Sequence, residues 1–182
     1  MKRVVLPVLM ITLLFAACGG GAAIEEQVEA RRDALAAAER ISFTAKITAD
    51  LGSEVFESTL ACAATPERIS MEVLSPEIVA GVTASVAAGE TGLEYGNVQL
   101  IVGAPDAPGP FTALSLLCGA LRSGHVIRAW REEGLVAAEF YAGDDHGLTV
   151  WFTESGLAPV HAELSDADGR ALVRCEIRDF QT

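Results

Sequence analysis

Lysine is nearly missing from this chain. Lys2 and Lys46 are the only two in 182 residues, and arginine lifts the basic total to just 13 against 25 acidic residues. A formal net charge of −12 excludes an electrostatic grip on nucleic acid or on an anionic lipid surface, because both need clustered Lys or Arg. Histidine is as sparse. His125, His146 and His161 stand alone, none with a second metal ligand at workable spacing, so solvated or locally bonded rings are expected and neither a metal site nor a cofactor is. There is no C-x-x-C and no Cys/His cluster. Asp144-Asp145-His146 and Asp166-Ala167-Asp168-Gly169 have the composition of hairpin turns, and the second lacks the later ligands and closing Glu of a calcium loop. The glycines near Gly81 and Gly89 lack the strand-to-helix setting of a phosphate-cradling loop. No catalytic residue is assigned, and the chain reads as a binding or interaction protein rather than an enzyme. A membrane-spanning run is also missing: the apolar stretch at 4–15 falls short of the roughly 20 residues that cross a bilayer.

What is present begins at the N-terminus. Lys2 and Arg3 form a cationic head, residues 4–15 an apolar run, and Ala16-Ala17-Cys18 a small-residue close, which is the pattern of an export signal. Leu14-Phe15-Ala16-Ala17-Cys18 resembles a bacterial lipobox, with Phe15 where Leu is commoner. The resemblance implies a lipoprotein signal peptide over 1–17, cleavage before Cys18, and acylation of the Cys18 thiol and new amino group. The product is anchored in the cell membrane and faces the extracytoplasmic side. Losing Lys2 and Arg3 leaves eleven basic residues against 25 acidic ones, a formal charge of −14. Residues 18–23 then read as a flexible Gly/Ala tether and 24–182 as one domain, a size that buries roughly two-thirds of its unfolded surface. Cys62, Cys118 and Cys175 sit among apolar neighbours, which favours buried small hydrophobes over one disulfide and a leftover thiol.

The domain opens with a helix over 24–40, rich in Ala, Glu and Arg, with Ile24, Val28, Leu35 and Ala38 near helical spacing. Arg31-Arg32, among glutamates, reads as a solvated ion-paired face. At Ile41 the period switches to two. Ile41, Phe43, Ala45 and Ile47 share one side, Phe56, Leu60 and Cys62 return on the next strand, and Ile69, Met71 and Val73 follow. Ser75-Pro76-Glu77 has the form of a helix start that Gly81 stops within about a turn, which makes it a short connector. Short strands at 81–86, 92–95 and 98–102 lead to a proline-rich loop over 104–110. A second long helix over about 111–122 follows, with Phe111, Leu114, Leu117, Cys118 and Leu121 on one face. Hairpins at 126–132, 135–142, 148–152, 159–165 and 170–180 complete a meander of ten or eleven strands. Trp151 opposes the apolar set of its strand, so it and Trp130 serve either sheet packing or partner contact.

One-faced strands need a cover, and the helices supply it. The expected fold is α+β: a single large curved antiparallel sheet, a half-barrel, with helices packed on its concave face. This order of elements resembles the lipoprotein-carrier superfamily, which includes LolA and LolB, the RseB sensor domain and the anchored lipoproteins LppX and LprG. The resemblance rests on the first helix running into Ile41-Ser-Phe-Thr-Ala-Lys-Ile-Thr-Ala, on Ile69-Ser-Met-Glu-Val-Leu-Ser-Pro-Glu-Ile-Val-Ala-Gly, and on Val150-Trp-Phe-Thr-Glu-Ser-Gly-Leu-Ala-Pro-Val-His-Ala-Glu-Leu. It implies a hydrophobic cavity between sheet and helices, able to hold a lipid or lipidated peptide. The candidate lining is Phe43, Ile47, Phe56, Leu60, Ile69, Met71, Phe111, Leu114, Leu117 and Leu121, residues that equally well fill a core. The alternative is an anchored sensor or interaction domain with a filled core that contacts an exported protein.

Overall fold

Alternation of apolar and polar side chains builds the body of the molecule. A computed structural model describes residues 20–50, 55–87, 90–102, 109–143 and 145–182. The signal segment, Cys18 and the residues at 51–54, 88–89, 103–108 and 144 lie outside the described residues. Strand β1 (Ile41–Asp50) buries every odd-numbered residue, the inward set expected from its period of two. β2 (Val55–Ala64) and β3 (Arg68–Ser75) continue the antiparallel pairing. β4 (Thr83–Ala87), β5 (Glu90–Tyr95) and β6 (Val98–Val102) extend the sheet to one edge. After helix α2 (Pro110–Ser123) come β7 (Val126–Glu132), β8 (Leu135–Tyr141), β9 (His146–Thr153), β10 (Pro159–Asp166) and β11 (Ala171–Gln181).

The eleven strands form one antiparallel sheet in the order β6-β5-β4-β3-β2-β1-β11-β10-β9-β8-β7. The two meanders join in the middle, where the last strand pairs with the first through Ala45↔Ile177 and Ile47↔Cys175. The sheet stays open, with β6 and β7 as its edges. Helix α1 (Gly20–Ala37) lies along β7 and α2, and both helices turn their apolar residues onto one face of the sheet. The expected curved α+β sheet with helices is therefore the observed architecture.

Several local expectations are corrected. Helix α1 begins at Gly20, so residues 20–23, read as spacer, are helical here, and it ends at Ala37 rather than 40. Of its stripe, Val28 and Leu35 are buried while Ile24 and Ala38 pack at the margin. Arg31 and Arg32 are not a merely solvated pair. Arg31 Nε donates to the Leu157 carbonyl at 3.2 Å and Arg32 Nη1 to the Gly124 carbonyl at 3.0 Å, tying the helix to two loops of the sheet. The short connector expected after Ser75 is a 3-10 turn, Glu77–Val79, and Ser75 itself closes β3 opposite Thr59. His146, placed in a turn by its neighbours, is the first residue of β9, paired with Asp166.

The hairpin Thr153-Glu-Ser-Gly-Leu-Ala-Pro turns by a definite mechanism. Gly156 and Leu157 both take positive φ, +80° and +48°. Thr153 Oγ1 closes the loop, donating to the Ser155 carbonyl at 2.8 Å and accepting from the Ala158 N–H at 3.1 Å. That geometry leaves the Leu157 carbonyl aimed at Arg31, so the turn also docks α1. In the next turn, Asp166 Oδ1 accepts from the N–H groups of Asp168 and Arg170, which commits that carboxylate to the loop.

Candidate functional site

Helix α2 is the element that separates a cavity from a core. Pro110 occupies its first turn behind Gly109, and Ala113, Leu114, Leu117, Cys118, Ala120 and Leu121 are buried against the sheet. Beneath the middle of the helix, Ile47, Leu114 and Leu117 meet Leu148, Leu164 and Val173 around a void of only 10 Å³. That is too small for any organic guest. Phe43 stacks on Phe180 with ring centroids 6.0 Å apart, Met71 is fully buried, and Leu121 packs with Phe140 and Phe152 under α1.

Space opens at the two ends of the helix. At its N-terminal end Phe56, Leu60 and Phe111 join Ser58, Val73, Val79, Val82 and Pro110 around an apolar cavity of 190 Å³. At its C-terminal end Ile69, with Cys118 and Arg122, borders a more open groove of 340 Å³ with a polar rim from Thr65, Glu67 and Arg68. Arg122 is committed there to structure: its guanidinium donates to the carbonyls of Ala36, Ala38 and Ala64 at 3.2, 2.8 and 3.4 Å, capping the C-terminal end of α1. The ten sequence candidates are thus distributed. Three meet at the apolar cavity, one borders the groove, and six lie in packed interior.

Of the cavity's lining, the candidate set missed Ser58, Val73, Val79, Val82 and Pro110, although Val73 was placed on the inward face of its strand. Ser58 carried a signal, for it falls on the inward register of Phe56, Leu60 and Cys62 and so places a hydroxyl on an apolar face. Its exposure is 5%, and its Oγ has no hydrogen-bond partner among the described residues. Val79 and Val82 belong to the turn after β3, where no periodicity points inward.

The thiols of Cys62, Cys118 and Cys175 are free and buried. Burial pushes Cys118 and Cys175 up to about 12 and raises Cys62 as well, with the neighbouring thiols adding to the rise at Cys62. Protonated, inert thiols are what small hydrophobes in a core amount to. Among the described residues no group of three or more His, Cys, Asp or Glu side chains is placed to hold a metal ion.

On the outer face, Trp130 and Trp151 flank Ala137 across β7, β8 and β9, and the two indoles leave Ala137 fully covered. Both indole N–H groups donate to Glu132 Oε2, at 3.1 and 3.2 Å, and Arg128 lies 5.0 Å from the Trp130 ring. His161 tilts against Trp151 at 5.1 Å, and its burial there lowers its pKa. The two tryptophans therefore pack on the sheet.

With this geometry in view, comparison with solved structures returns chains of the same fold. One is a DUF1329 family protein from Desulfovibrio piger, with TM-score 0.51, 8% identity, and 86% of this chain and 91% of that chain covered. Another is an uncharacterised conserved protein from Thermus thermophilus, with TM-score 0.50, 13% identity, and coverages of 86% and 85%. A LolA superfamily protein from Nitrosomonas europaea also matches, with TM-score 0.48, 10% identity, and coverages of 86% and 92%. No protein-family model and no curated protein matches the chain. The class defined is one of architecture, an open antiparallel sheet with helices packed on one face. At these identities the likeness speaks for the fold alone.

Proposed function

We propose that this protein is a membrane-anchored extracytoplasmic lipoprotein that binds a lipid or lipidated peptide between the sheet and α2. The observation that carries this reading is the apolar cavity of 190 Å³ under the N-terminal end of α2, lined by Phe56, Leu60, Val73 and Phe111. Its size is below the roughly 300 Å³ at which drug-sized pockets begin, but above the ~150 Å³ apolar cavity that accepts benzene. It suits the end of one aliphatic chain rather than a whole lipid. The anchor is Cys18, in the lipobox-like Leu14-Phe15-Ala16-Ala17-Cys18. Attachment is assigned to acyl chains on that cysteine. The protein is read as a binder and not an enzyme. The test is native mass spectrometry of gently extracted protein: a co-purifying acyl species supports the reading, and a uniform apoprotein from several extractions sinks it. Cys18→Ser should move the protein from the membrane to the soluble fraction.

A second reading, an interaction domain that contacts an exported protein, is favoured by the filled interior beneath the middle of α2. The open edge at β6, where Val98 and Leu100 are about 60% exposed, offers a strand for such a contact. Crosslinking in intact cells tests it, and recovery of no protein neighbour counts against it.

A further inference from the structure

The cavity at the N-terminal end of α2 is apolar except for one atom. Leu60, Val73 and Ser58 form its deep wall at 1%, 5% and 5% exposure, while Phe56 stands at the rim at 39%. Ser58 thus belongs to the buried part of the lining, and its Oγ is without a partner among the described residues. A buried hydroxyl left unpaired costs about 1–3 kcal/mol, and such groups in folded proteins mark a water, a ligand or a functional strain. β2 holds it there: the strand alternates, its neighbours Phe56 and Leu60 face the same space, and alanine at this position would serve the apolar wall better. Among the described residues no Lys, Arg, Asp, Glu or His lines the cavity, so an ionised group brought to Ser58 would find no countercharge there and would lose its hydration.

Resting on the lipid-cavity reading above, we infer that the cavity selects an aliphatic chain end carrying one uncharged oxygen, which it takes oxygen-first onto Ser58. A terminal hydroxyl accepts from or donates to Oγ; a free carboxylate is rejected. The volume matches about six carbons and an oxygen, given that a cavity of about 150 Å³ takes the six carbons of benzene.

The test uses three probes on the full domain, 1-hexanol, hexane and hexanoate, with binding followed at neutral pH by NMR of the methyl groups of Leu60, Val73 and Val82. Wild type should bind 1-hexanol at least tenfold more tightly than hexanoate. In Ser58→Ala the ratio of hexanol to hexane affinity should fall by about three- to tenfold, the size of one neutral hydrogen bond. The melting temperature should stay level or rise, because the variant removes an unpaired hydroxyl. Ser58→Cys, nearly isosteric and a weaker hydrogen bonder, should fall between the two and guards against misfolding of the alanine variant. An unchanged ratio in both variants overturns the role of Ser58 while leaving the cavity reading standing. Hexanoate binding as tightly as hexanol overturns the selection for an uncharged head, and binding of none of the three probes overturns this inference and the lipid-cavity reading together.

Discussion

His161, Cys118 and Ala137 have properties set by what lies beside them. His161 is half-buried against Trp151, and this burial, against the opposing pull of Glu163 and Glu176, lowers its pKa from the ordinary 6.5. The unfolded chain takes up the proton at a higher pH than the native ring does. Stability is therefore complete above about pH 6.5 and falls as the pH drops toward the depressed native value. Melting temperatures compared between about pH 7.5 and pH 5.5 should drop further for wild type than for His161→Gln; an equal drop would mean the ring is as free as in the unfolded chain. The thiols give a second residue-scale prediction. Cys62, Cys118 and Cys175 should resist iodoacetamide in the native protein and react in denaturant, whereas prompt native labelling of any of them would contradict their burial. Their buried, unpaired state was legible in the sequence, because each sits among apolar neighbours at an inward position. The place of Ala137 was not, since a small residue covered by two indoles on the outer face needs cross-strand register to be seen.

At the scale of elements, α2 joins the two meanders, and its packing carries much of the interior. Leu117 is 1% exposed, and Leu117→Ala should cost about 2–5 kcal/mol in denaturant unfolding; a cost under about 1 kcal/mol would show that the site collapses freely. The exit of the helix is tighter still. A Cβ on Gly124 would stand 2.6 Å from the Ala120 Cα and 2.7 Å from its carbonyl oxygen, so Gly124→Ala must shift backbone. Gly124's own carbonyl, which receives Arg32, moves with it. This substitution should lower stability by about 1–3 kcal/mol and loosen α1, seen as faster amide exchange along that helix. Periodicity placed both long helices and nearly every strand, because each has one apolar face. It misread Arg31 and Arg32, whose partners are carbonyls of loops 126 and 92 residues away in sequence.

For the whole molecule, the pairing of β11 with β1 makes one sheet of two meanders and gives both helices a single face to cover. That architecture was legible from one-faced strands and their resemblance to the carrier superfamily. How much of the shared interior stays open was not, because cavity and core use the same side chains. In this chain six of the ten candidates are packed, and among the described residues the almost wholly apolar cavity lies at the end of α2 where Phe56, Leu60 and Phe111 meet. The central claim is that this volume binds a lipid chain. It is tested most directly by native mass spectrometry of wild type and Val82→Trp extracted side by side, since an indole at the half-buried rim position would fill the cavity. The account predicts an acyl species on wild type that is lost from Val82→Trp while both proteins fold; bare apoprotein in both preparations, or the same acyl species retained by both, would contradict it.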